Sequence, residues 1–158
     1  MADIVTLILA GHARIRRLFA ELEIVTDSSP LLQMVWTELA DCLHAHLDAA
    51  EEITYLPLFA GAASGPQDRR ELADQDADIR EAMAEAHLQP TGSRLWWVFV
   101  RAAQMTADRR IDAMESGPLP RFRQQAPEHV QEALGQQWTR FMAAFDRDHQ
   151  TCPDSKGE

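Results

Sequence analysis

Apolar residues recur along this chain every three to four positions, and no segment sustains the two-residue alternation of a half-buried strand. Five helical segments follow from that pattern. The first spans about 3–25, capped by Asp3, with Ile4, Leu7, Ile8, His12, Ile15, Phe19 and Leu22 at helical spacing. Thr26, Asp27, Ser28, Ser29 and Pro30 break it, and Ser29 as cap with Pro30 as first helical residue opens the second. The second helix turns Leu32, Trp36, Leu39, Leu43, His46, Ala50 and Ile53 inward, and Pro57 stops it. A loop over 61–67 leads to a third helix, about 68–88, whose thin stripe is Leu72, Ile79 and Met83 with Asp76 in phase. Pro90, Thr91, Gly92 and Ser93 separate it from a fourth, about 94–116, where Leu95, Phe99, Ala102, Thr106, Arg110, Ala113 and Met114 share a face. Gly117, Pro118, Leu119 and Pro120 interrupt the chain, and Pro127 starts a fifth helix with Val130, Leu134, Trp138, Phe141 and Phe145 in line.

The connections are short and there is no strand to pair, so neighbouring helices are expected to pack antiparallel. The expected fold is all-α: an antiparallel four-helix bundle with an additional C-terminal helix. It forms one domain over 1–148, followed by a polar, disordered tail over 149–158.

Four polar residues stand at core phase, one on each of the first four helices: His12, His46, Asp76 and Arg110. Bundles build sites by pointing one polar side chain inward from each helix. Any buried polar group must find a partner or cost a few kcal/mol. Taken singly, a core-phase histidine is more often a hydrogen-bonded or boundary residue, and Asp76 with Arg110 reads as a salt bridge or as an arginine that snorkels to solvent. Four at comparable depth raise the case for a site. His44, Asp48, Glu51 and Glu52 fall on a more exposed face and read as solvated charges; His87, His129 and His149 carry no assigned role. The four tryptophans read as core or interface anchors, and of the adjacent Trp96 and Trp97 only one can face the core.

Composition narrows the partners. Fifteen basic against 25 acidic residues give a net charge of −10, which disfavours nucleic acid and an anionic membrane surface. All the basic residues but Lys156 are arginine, which with abundant alanine points to a GC-rich bacterial genome. Cys42 and Cys152 are expected as free thiols in a reducing compartment. The N-terminus lacks the basic start of a signal peptide, and the apolar run 95–100 is far too short to span a bilayer. The expected localisation is cytoplasmic. No phosphate loop, nucleophile elbow or paired-cysteine zinc motif occurs.

The segments DIVTLILAGHARIRRLFAEL and LHAHLDAAEEITYLPLF, followed by ADIREAMAEA, LWWVFVRAAQ and the fifth-helix region, resemble the bacterial hemerythrin-like family, or HHE cation-binding domain. The resemblance covers nearly the whole chain and is carried by helix order, loop positions and the Glu-Glu-Ile-x-Tyr stretch together. It implies a bundle holding two irons through a histidine on the first helix, His-x-x-x-Glu on the second, histidine on the third and His-x-x-x-Glu or similar on the fourth. Carried over by position, His12 and His46 match. The second-helix carboxylate falls on Ala50, with Glu51 one step away. The third-helix ligand falls on Asp76, or Gln75 if the register slips by one, and the fourth-helix pair falls on Arg110 and Met114.

Arginine is a permanent cation and cannot ligate a metal. The expectation is therefore a degenerate member with no metal cofactor, in which His12, His46 and Arg110 act on an anionic small molecule bound by Arg110, Asp76 and Met114. A cofactor-free elimination, cyclisation or isomerisation in specialised metabolism fits that set, with a histidine moving the proton. A non-catalytic subunit beside a partner protein or a second copy is a competing expectation. Iron is the alternative cofactor, for oxygen or peroxide binding or sensing, and a single metal on His12, His46 and Asp76 its reduced form.

Overall fold

Asp3 does what a helix cap does: its Oδ1 accepts the Thr6 amide at 2.9 Å, and α1 runs over Ile4–Ile24. The computed structural model describes residues 2–25, 30–60 and 66–150. α2 (Pro30–Ala49) turns Leu32, Trp36, Leu39, Leu43 and His46 inward, as the spacing predicts. Residues 26–29 of the expected break, with the cap Ser29, lie outside the described residues, as do 61–65 of the loop expected over 61–67, whose last two residues already belong to a helix.

Pro57 does not stop the second helix. After Ala49 the chain widens into a π turn (Ala50–Thr54) and continues as α3 (Tyr55–Phe59). The local cause can be read from the hydrogen bonds. Thr54 Oγ1 donates to the Ala50 carbonyl at 2.7 Å, and the Tyr55 amide bonds that same carbonyl five residues back. Pro57 has no amide to offer Ile53 and crowds that carbonyl. The extra residue shifts the phase, so Ile53, Thr54 and Tyr55 are buried in succession.

α4 (Pro66–His87) and α5 (Arg94–Ser116) follow, joined by a turn in which Gly92 takes a left-handed φ of 81° and Ser93 Oγ accepts the Trp96 amide. The inner face of α5 is Trp96, Val100, Ala103, Ala107, Arg110, Ile111 and Met114. The expected stripe is thus one residue out of phase over its first half, with Leu95 and Ala102 facing out, and Ala113 near its end faces out as well. The Trp96 indole takes the core, packed edge-on to Trp36 with ring centroids 5.2 Å apart, and Trp97 is left half-buried. Pro118 to Pro120 do more than interrupt: they begin a short α6 (Pro118–Gln125), with proline at the helix start where its missing amide costs nothing. α7 (Glu128–Gln150) takes in the first residues of the expected tail; 151–158 lie outside the described residues.

The architecture is the expected all-α bundle. α1 packs on α2 and α4 on α5, and the added helix α7 lies across α1 and α2. Among the described residues there is no strand, and no helix is long and apolar enough to cross a membrane. The core is divided. One apolar cluster gathers Ile15, Leu39, Leu43, Ile79, Trp96 and Ala107; a second gathers Ile8, Ala50, Ile53, Leu72, Met114 and Trp138. His12, Asp76 and Arg110 interrupt their helices where one cluster gives way to the other.

α7 reaches α1 through a close backbone approach. A Cβ on Gly135 would stand 2.5 Å from the Ala2 carbonyl oxygen and 3.3 Å from the Ile4 nitrogen. Gly135→Ala is therefore expected to lift α7 and cost about 1–3 kcal/mol, the usual range for overpacking. Urea unfolding measures it; wild-type stability would show that α7 is docked elsewhere.

Candidate functional site

The four inward polar residues meet at the middle of the bundle, each only 1–2% exposed. Arg110 Nε donates to Asp76 Oδ1, and Arg110 Nη2 donates to the Tyr55 hydroxyl at 2.9 Å. The Tyr55 hydroxyl in turn donates to Asp76 Oδ2. One closed network thus ties α3, α4 and α5 together. Burial works against the Arg110 charge, but Tyr55 and Asp76 outweigh it and hold the guanidinium above its ordinary pKa. Burial, against the pull of Arg110, drives the Tyr55 phenol upward, so it remains a donor.

The histidines form the other half. His12 and His46 lie with ring centroids 5.0 Å apart, and His46 meets the edge of Trp138 at 5.1 Å. Gly11 makes this possible, because a Cβ there would stand 2.6 Å from His46 Nδ1. His12 Nδ1 pairs with Glu115 Oε1 at 2.9 Å, and Glu115 is backed by Arg16, which also bonds Asp112 at 2.6 Å. If Nδ1 carries the proton toward that carboxylate, Nε2 is left as an acceptor, and it has no partner. His46 has no partner at either nitrogen. Burial lowers the His12 pKa to about 4 despite Glu115, with Arg110 adding to the fall. Burial, Arg110 and His12 together push His46 well below the usual range. Both rings are neutral near pH 7.

Of the expected residues, Asp76 rather than Gln75 points inward; Gln75 is half-buried. Met114 is buried beside the network but lines a separate cavity of about 210 Å³ with Gln75, Leu72 and Arg121, to which neither histidine nor Arg110 contributes. Glu51 and Glu52 are exposed as expected. Asp48 pairs with Arg80 on the surface. Tyr55 and Glu115 were not legible as site residues. An unbroken α-helix would turn Tyr55 away from the face that carries His46 and Ile53, and only the π turn brings it in. Glu115 stands one residue past Met114, the position on which the fourth-helix ligand falls, and a one-residue slip of the kind weighed for Glu51 would have found it.

The hemerythrin HHE cation binding domain pattern matches residues 3–116. The chain belongs to that family. No curated protein and no solved structure matches it. Such a domain needs several unprotonated donors converging on one point. Among the described residues, no group of three or more His, Cys, Asp or Glu side chains is placed to hold a metal ion. Asp76, the one fully buried carboxylate among the described residues, is held by a permanent cation and a phenol, and that cation's charge reaches both imidazoles. As arranged, these residues do not fit a di-iron centre.

The neutral histidines give stability a pH dependence. In the unfolded chain a histidine binds its proton near pH 6.5; folded, His12 binds it only near 4. The unfolded state therefore holds more protons between those values, and stability present above about pH 6.5 is lost as pH falls toward 4. His12 alone accounts for on the order of 3 kcal/mol. Urea unfolding at a series of pH values is expected to show this slope, and His12→Gln, which keeps a partner for Glu115 but does not titrate, should flatten it. An unchanged slope in the variant would refute the assignment.

Proposed function

We propose that this hemerythrin-like protein works without a di-iron centre, its metal replaced by the Tyr55–Asp76–Arg110 network, and that it acts by binding a small molecule. The observation that carries this reading is the commitment of Asp76 to Arg110 at the depth where the family would place a metal. The reduced alternative, one iron on His12, His46 and Asp76, requires Asp76 to leave Arg110. That strands a buried guanidinium, and breaking such a pair typically costs about 3–5 kcal/mol. A dication would also have to approach a fixed positive charge in a low dielectric.

The unpartnered His12 Nε2 and His46 nitrogens beside Arg110 favour a ligand at this centre. An anionic ligand must compete with the Asp76 carboxylate for the guanidinium, so binding and opening of the network are coupled. Proton transfer in a cofactor-free elimination, cyclisation or isomerisation would fall to His12. Burial first and Arg110 second hold its pKa at about 4, so it is a weak base, and a bound anion that offsets Arg110 removes the lesser of those two causes. A role as the subunit of a partner enzyme keeps the same core and places the chemistry elsewhere.

Protein expressed with iron supplied is expected to be colourless, with well under one iron per chain, and indifferent to chelators. Two irons per chain with oxo-bridge absorption, or activity lost to EDTA and restored by iron, would reinstate the family's ordinary chemistry.

A further inference from the structure

α7 lies beyond the family-matched residues, yet together with them it walls a groove. The groove runs between α1, α2 and α7 and holds about 450 Å³, the scale of a small-molecule site. Leu7 on α1 and Trp138, Met142 and Phe145 on α7 give it apolar sides. His46 stands at its floor, 2% exposed, with neither ring nitrogen hydrogen-bonded. A buried polar group left unpaired has lost its water without a replacement, which a ligand's hydrogen bond would offset. Charge enters at the rim. Glu38 is paired with Arg14 at 3.1 Å, and Asp41 and Asp146 add two further carboxylates.

We propose that this groove binds an amphipathic amine. Its aromatic or alkyl body lies against Trp138 and Met142, a hydroxyl at its inner end bonds His46, and its ammonium group sits at Asp41 and Asp146. A neutral imidazole nitrogen is a donor or an acceptor according to tautomer, and a hydroxyl, which can be either, pairs with the nitrogen it meets in both cases. The acidic rim repels carboxylates and phosphates, which separates this groove from any anion site at Arg110. The inference goes beyond the metal-free reading and rests on it in one respect: His46 must be free of metal.

Tyramine is the probe, because its hydroxyl and ammonium stand at opposite ends of one ring. NMR titration of the full chain is expected to give saturable shifts at the His46 ring and the Trp138 indole. Phenethylamine, which lacks the hydroxyl, and para-hydroxyphenylacetate, with a carboxylate in place of the amine, should each bind roughly tenfold more weakly. The double variant Asp41→Asn with Asp146→Asn should erase the preference for tyramine over para-hydroxyphenylacetate. The ligand series tests the His46 contact without a core substitution that disturbs folding. Shifts that do not saturate, equal binding of para-hydroxyphenylacetate, or shifts confined to the cavity beside Gln75 and Met114 would overturn the proposal. Iron measured on the same sample separates the two ideas. Tyramine ignored by iron-free protein sinks the groove alone, whereas iron bound by the protein sinks the metal-free reading and, with it, the free His46 on which the groove rests.

Discussion

A guanidinium cannot discharge itself, so a chain that buries one must bury a counter-charge at the same depth. Arg110 imposes that demand on the whole bundle. Asp76 answers it from α4 and Tyr55 from the far end of the second helix. Their placement constrains much else. α4 and α5 must hold a register that sets position 76 against position 110. The second helix must take up an extra residue so that Tyr55 faces inward, which is what the π turn over Ala50–Thr54 accomplishes. The chain belongs to a cation-binding family, and at the middle of its bundle an ion pair and a phenol cross-link three helices.

The polar residues also explain why the core is two clusters rather than one. Apolar packing on either side excludes water from the middle, which strengthens the Arg110–Asp76 attraction and raises the penalty for separating the pair. The same dry environment keeps His12 and His46 uncharged. Two neutral imidazoles beside a buried cation can each donate one hydrogen bond and accept another but do not hold a second proton near neutral pH. What they can do chemically depends on what else enters. His46 also lines the groove, since Gly11 lets its ring lie against α1 and Trp138 brings α7 over it.

Much of this was legible because burial leaves its trace as periodicity. Leu32 through Ile53 and Leu72 through Met83 turn inward as their spacing predicts, and all four polar core positions were visible as interruptions of apolar stripes. Phase reasoning fails where the helix itself changes pitch or where two neighbours compete for one core position. Tyr55 was hidden by the π turn, which depends on the Thr54 hydroxyl and on Pro57, and Pro57 on its own reads as a stop. Leu95 and Trp96 are both apolar, and the choice between them is made by the facing Trp36 on another helix. Glu115 was missed because it is half-buried at a helix end, where charge is normally solvated. The groove under α7 could not be read at all, because periodicity shows that α7 forms but not how it docks on α1 and α2.

The claim that an ion pair now holds the centre together is tested most directly by a double-mutant cycle on Asp76→Asn and Arg110→Met, read by urea unfolding in the presence of a chelator. Each single change should cost about 3–5 kcal/mol, because each leaves its partner buried and uncompensated. The double change should cost less than the two combined, by on the order of 0.5–3 kcal/mol of coupling. Single changes that are nearly neutral, with effects that simply add, would contradict the account.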